Sequence, residues 1–192
     1  FVFGQEMGTQ KRIIIDVGHG GKDSGAIGIN GILEKDVVMN VANEILKLNK
    51  ELEDPLDMYL TRYSDTLISL SHRTKLAATL NVDLFISLHC NHSDNPNARG
   101  VEVYVAGVEF KYSDESVWFA FQLQGALNKE LGFESRGVKF DNFQVLRETT
   151  GTAVALLLEL GFLSNWDEAL YLSRPASIKS LAQIVYQHLR NL

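Results

Sequence analysis

A single cysteine, Cys90, excludes any disulfide within this chain of 192 residues, and by itself it assigns no compartment. Apolar runs are short, and none reaches the ~18 residues that suggest a membrane span. Acidic residues outnumber basic ones, 24 against 18, for a net charge of -6. The basic stripe of a nucleic-acid binder is therefore missing. Repeats and linkers are missing too, and the glycines at 18–21 match neither spacing of the phosphate-binding glycine loops. With 45% hydrophobic and 22% charged residues, the expectation is one domain with a substantial core.

What the chain does have is alternation of strand and helix signals. Ile13-Ile14-Ile15-Asp16-Val17 is a largely apolar run, as in a parallel strand buried on both faces. It stops at Gly18-His19-Gly20-Gly21, and a glycine-punctuated loop runs on to Gly31. Further strands are expected at 58–61, 83–88, 101–105, 143–146 and 153–160, with the alternating 101–105 at a sheet edge or half exposed. Helical spacing runs through Val37, Val38, Val41, Ile45 and Leu48, over 67–80, and over 115–131 with Trp118, Phe121 and Leu127 as anchors. Asn165 caps another helix and a last one follows Pro175. The predicted fold is α/β: a single domain with a mostly parallel twisted sheet of about six strands and helices on both faces. Residues 1–12 read as an N-terminal tail, a remnant of a signal peptide or of cloning, ahead of a domain over 13–192.

In open α/β sheets, ligands bind beyond the carboxyl ends of the strands. His19 and His89 each follow a strand directly. Glu34 opens a helix on the face of Val38, Val41 and Ile45, so its carboxylate looks toward the core. Glu159 interrupts the apolar run 153–158 near a strand end. Buried carboxylates are costly unless paired, and a cation would remove the penalty. Two histidines and one carboxylate with an open position form a catalytic zinc set. Glu159 would then be a general base tuned by burial. Taken singly, each residue has a plainer reading, such as a loop histidine, a helix-dipole charge or a structural ion pair. Arg62 and Arg73 are candidates for binding a substrate carboxylate, with a structural ion pair as the competing reading. Cys90, next to His89, should point the other way and pack as a small residue.

At these residues the sequence resembles the zinc-dependent N-acetylmuramoyl-L-alanine amidases of the amidase_3 type. The matching stretches are Ile15-Asp16-Val17-Gly18-His19-Gly20-Gly21, Gly31 to Asp36, Leu60-Thr61-Arg62, Asp83 to Asn91, Arg99 to Tyr104, and Leu158 to Asn165. The resemblance implies that His19, Glu34 and His89 bind one zinc ion and that Glu159 is the catalytic carboxylate. It also implies hydrolysis of the amide between N-acetylmuramic acid and L-alanine in peptidoglycan, in the periplasm or after secretion. Asn91, which closes its motif, joins Arg62 and Arg73 as a candidate substrate contact. Several cell-separation members carry a long insertion, with a helix that blocks the site until an activator binds. Only Ala106 to Asp114 lies at that place here, so an uncovered site is expected, with an activator possible but not implied. The expected partner is peptidoglycan, bound by a monomer. Competing readings are a zinc peptidase or carboxypeptidase on a related scaffold, and a non-catalytic peptidoglycan-binding domain.

Overall fold

Three consecutive isoleucines, Ile13 to Ile15, are completely buried, and they divide between two cores. Ile13, Ile15 and Val17 join one apolar cluster, while Ile14 joins another on the opposite face of the sheet. Successive side chains of a strand point to opposite faces, so an unbroken apolar run suits a sheet covered on both sides.

The computed structural model describes residues 11–191. In chain order its elements are β1 (Arg12–Val17), α1 (Glu34–Lys50), β2 (Asp57–Leu60), α2 (Leu70–Leu80), β3 (Leu84–Asn91) and β4 (Val101–Ala106). They continue as α3 (Ser113–Leu131), β5 (Ser135–Asp141), α4 (Gln144–Arg147), β6 (Val154–Phe162), α5 (Trp166–Leu172) and α6 (Pro175–Leu189). The six-stranded sheet runs β2-β1-β3-β6-β4-β5. Strands β2, β1, β3 and β6 are mutually parallel; β4 is antiparallel to β6, and β5 is parallel to β4. The α/β architecture and the mostly parallel sheet are as predicted.

The larger core lies under α1, α3 and α6, through residues such as Val41, Leu123 and Leu181. The smaller one lies under α2 and α4, through Ala77, Val145 and Leu146. Each fully buried large apolar side chain contributes ~1.5–3 kcal/mol relative to exposure. The helix ends follow local rules. Ser69 caps α2 by accepting from the His72 amide, Asn165 caps α5 by accepting from the Glu168 amide, and Pro175 starts α6.

Four expectations are corrected. Residues 144–147 are the short helix α4, not a strand, because four residues are too few for periodicity to separate the two. Strand β5 was not foreseen: Ser135-Arg136-Gly137-Val138-Lys139-Phe140-Asp141 lacks an apolar run because it is the sheet's exposed edge. Strand β4 is inside the sheet, and its alternation reflects a polar network rather than water. Trp118 and Phe121 stack on each other at the surface, 63% and 60% exposed, while Phe119, Ala120, Leu123 and Leu127 face inward. The strand β1 starts at Arg12, inside the expected tail; the rest of that tail, through residue 10, lies outside the described residues.

Candidate active site

Strand parity assembles the site. In β1, β3 and β6 the residues that alternate with the larger core are Asp16, Ser87, His89 and Glu159, so all four face α2 and α4. The register places Asp16 beside Ser87 and His89 beside Glu159. Cys90, one residue on, falls in the opposite core as expected. Burial pushes its thiol pKa up, and Glu34, Glu159 and Glu168 add to the shift, which leaves it an inert packing residue.

The loop after β1 is fixed from beneath. Asp16 is 1% exposed and accepts from Arg73 Nη1 at 2.7 Å, Thr61 Oγ1 at 2.9 Å and Ser87 Oγ at 2.6 Å. Arg73 also donates to the carbonyls of Ile68, Val17 and His19. Arg62 donates to those of Val17, Gly18, Lys35 and Ser64. Two planar, permanently charged forks thus hold the three carbonyls around His19. They keep His19 at φ +55°, a left-handed conformation unusual for a residue with a side chain. Both guanidinium groups were candidates for binding a substrate carboxylate, with a structural ion pair as the competing reading; the structure buries them, pairs Arg73 with Asp16 and directs their other donors to backbone carbonyls.

His19, Glu34 and His89 converge, with one ligand atom from each lying within 4.8 Å of the others. Glu34 Oε1 lies 3.0 Å from His19 Nε2 and 2.8 Å from His89 Nδ1, and accepts from the Cys90 amide at 3.0 Å. Its Oε2 accepts from the Ala26 amide at 2.8 Å. Asp23 Oδ2 lies 2.9 Å from His19 Nδ1, and Asp23 Oδ1 accepts from the Gly25 amide. Burial works against the charged form of His19, but Glu34 and Asp23 outweigh it and raise its pKa to about 9. Burial likewise opposes ionisation of Glu34, yet His19 and His89 hold its carboxyl far below the ordinary range. Glu34 is thus held as a carboxylate against His19 and His89.

That donor set fits zinc. The residues are of the right type and number for a catalytic site, and Asp23 lies where a carboxylate would orient His19 as a ligand. Packing agrees. A Cβ on Gly18 would sit 2.6 Å from His89 Cε1, and one on Gly25 would sit 2.5 Å from Glu34 Oε2 and 2.6 Å from His19 Cδ2. Gly25 also has φ +63°. Gly25→Ala is therefore expected to displace two candidate ligands, His19 and Glu34, and to weaken zinc binding ~10–100-fold, the range for lost orienting contacts. Competition with a chelator measures it, and an unchanged affinity would show that the loop yields without moving His19 or Glu34.

Glu159 lines the same cleft of about 480 Å³ as His19, Asp23 and His89, walled by Leu157, Phe143 and Val145. Its Oε2 is buried and has no hydrogen-bond partner among the described residues. Burial raises its pKa to about 7; Glu34 and Glu102 push the same way, while His89 and His19 oppose. Directly across from it on β4 is Glu102, 2% exposed. Glu102 accepts from Asn91 Nδ2, Tyr104 Oη, Arg136 Nε and Lys139 Nζ. Burial works against its charge, and Lys139 and Arg136 overcome that and lower its pKa. Asn91 thus meets Glu102 rather than the centre of the cleft.

Sequence reading passed over Asp16, Asp23 and Glu102. The signal that singled out Glu159, a carboxylate inside an apolar strand, also marks Asp16 and Glu102. Asp23 lies in an irregular loop and carries no such signal.

The family model described as "Amidase_3: N-acetylmuramoyl-L-alanine amidase" matches residues 13–191. The chain is 37% identical over 176 residues to the N-acetylmuramoyl-L-alanine amidase LytC of Bacillus subtilis (strain 168), covering 91% of this chain and 34% of LytC. It is 40% identical over 158 residues to the probable cell wall amidase LytH of Staphylococcus epidermidis (strain ATCC 12228), covering 81% of this chain and 49% of LytH. It therefore spans about a third and about half of these two relatives. Among solved structures, the catalytic domain of CwlV, an amidase from Bacillus (Paenibacillus) polymyxa var. colistinus, superposes with a TM-score of 0.84 at 34% identity. That match covers 94% of this chain and 97% of the other. An amidase from Clostridium difficile 630 gives 0.86 at 28% identity, over 95% and 96% of the two chains. The chain belongs to the amidase_3 family of N-acetylmuramoyl-L-alanine amidases.

Proposed function

We propose that this chain is a zinc-dependent hydrolase that cuts the amide between the lactyl group of N-acetylmuramic acid and L-alanine in peptidoglycan. The observation that carries the reading is the convergence of His19, Glu34 and His89 beside the unpartnered oxygen of Glu159. His19, Glu34 and His89 would hold a single zinc ion. When bound, zinc supplies Lewis acidity toward a carbonyl oxygen and makes water more acidic.

The chain's own groups do the rest. Glu159 takes a proton from the attacking water at its free Oε2 and returns it to the leaving nitrogen. With a pKa near 7 it can do both at neutral pH. Asp23 accepts the Nδ1–H of His19 and so leaves Nε2 as the ligating atom. Arg62 and Arg73 act by holding the His19 loop, and Asn91 by holding Glu102. The apolar walls of the cleft limit water around the reacting bond.

Peptidoglycan as substrate places the enzyme outside the cytoplasm, in the periplasm or secreted. Among the described residues no helix is long and apolar enough to cross a membrane. Residues 107–112 are all that connect β4 to α3, a length that supports an uncovered site active without an activator.

Purified peptidoglycan treated with metal-stripped and zinc-restored protein tests the reading by mass analysis. The expected products are free stem peptides beginning in L-alanine, released only with zinc. Peptides trimmed at an internal bond would instead indicate a zinc peptidase. No product from either sample would favour a binding module.

A further inference from the structure

Beyond the reacting bond, the edge strand β5 carries a feature that the chemistry above does not use. Strand β4 pairs Val101 with Ser135 and Val103 with Val138, so β5 has one residue more than its partner between these pairs. Gly137, at φ +83°, occupies the extra position. Such a bulge re-aims the side chains around it. In a regular strand Arg136 and Lys139, three apart, would point to opposite faces. Here both reach Glu102, on the cleft side of the sheet.

Two cations thus meet on one carboxylate, in a chain whose net charge is -6. The pair is also unsaturated. The side chains of Arg136 and Lys139 remain 32% and 36% exposed. Arg136 uses Nε on Glu102 and Nη1 on the Arg99 carbonyl, its guanidinium lies 4.9 Å from the centre of the Phe162 ring, and its Nη2 has no hydrogen-bond partner among the described residues. Among the described residues Lys139 Nζ bonds only Glu102, and it lies 5.7 Å from the centre of the Tyr104 ring.

Position makes the charge relevant to substrate. Glu102 is the cross-strand partner of Glu159, and both cations lean onto it from the next strand. Strands are spaced ~4.8 Å apart, so the cationic ends lie about one spacing beyond the strand of Glu159. Consecutive residues of a peptide are ~3.8 Å apart, so the residue after L-alanine falls at this distance from the scissile bond. Resting on the amidase reading, we propose that Arg136 and Lys139 form a specificity subsite for the carboxylate carried by the stem-peptide residue next to L-alanine. Peptidoglycan in which that carboxylate is free would be preferred over peptidoglycan in which it is amidated.

Calorimetric binding of two dipeptides to the zinc-loaded protein tests this. L-alanyl-D-glutamate carries the α-carboxylate, and L-alanyl-D-isoglutamine replaces it with an amide. The expected result is ~10-fold tighter binding of the acid, the order of one partly exposed charge contact. Arg136→Gln and Lys139→Met should each shrink that ratio while leaving the affinity for the amide unchanged. Arg136→Lys and Lys139→Arg, which keep the charge and the partner of Glu102, should preserve the ratio even if the neutral variants fold poorly. Equal affinities in the parent protein, or a parallel loss for both dipeptides in well-folded variants, would overturn the subsite. If zinc-dependent release of L-alanyl peptides persists with equal affinities, only the subsite fails. If the acid preference holds and no such peptides are released, the subsite stands and the amidase reading fails.

Discussion

Replacing Glu159 by glutamine is expected to lower turnover ~10²–10⁴-fold or more while the bound zinc remains, because that is the range for a lost general base. The side chain keeps its size, so the cleft keeps its shape. What disappears is the proton acceptor, at an oxygen with no competing partner among the described residues. The substitution also removes a carboxylate facing Glu102 across the β4–β6 pair, so folding stability should hold or rise. Turnover of purified peptidoglycan, metal content per chain and a thermal melt separate these effects. A variant that loses zinc with its activity would make Glu159 part of the metal site, and one that keeps near-parental turnover would remove it from the reaction.

Arg73→Met should destabilise the fold by about 3–5 kcal/mol, the usual effect of leaving a buried charge without its partner. Asp16 would keep Thr61 and Ser87 but lose its counter-charge, and the Ile68 and His19 carbonyls would lose their Arg73 donor. His19 would then be held by Arg62 through its neighbours alone, so weaker zinc binding should accompany the lost stability. Denaturant unfolding gives the first quantity and chelator competition the second. The double variant Asp16→Leu with Arg73→Met removes both charges and should recover much of the loss, as apolar replacement of buried pairs often does. A raised KM with unchanged stability would instead return Arg73 to the substrate contacts.

The strands that hold the reactive groups could be read because burial on both faces writes itself as an apolar run. Ile13 to Val17, Leu84 to Leu88 and Val154 to Leu158 have no solvent-facing positions, so any polar residue among or just after them stands out. His89 and Glu159 were visible for that reason, and His19 because the run ends at it. Strand β5 escaped notice because Val138 is its one residue packed on the larger core, while backbone pairing to one neighbour and two ion pairs to Glu102 do not pattern hydrophobicity. For Arg62 and Arg73 a substrate carboxylate and a structural ion pair both stayed open, because a sequence shows a charge but not the carboxylate or the carbonyls that will meet it. The surface pair Trp118 and Phe121 shows a related limit: both were expected as anchors beside Leu127, whereas the buried face runs through Ala120, Leu123 and Leu127.

The placement of β6 bears on how the molecule is made. Strands β3 and β4 follow one another along the chain but do not pair; β6 fills the slot between them. A growing chain that has emerged through β4 therefore carries His19, Glu34 and His89 but lacks Glu159, and the facing edges of β3 and β4 still have open hydrogen-bonding groups. Closing such a slot joins segments far apart in sequence, which slows folding and leaves edges exposed to wrong partners in the interval. The same order of assembly has a protective side. Under the proposed mechanism an unfinished copy would have no base with which to act, because the strand that completes the sheet is also the one that delivers Glu159.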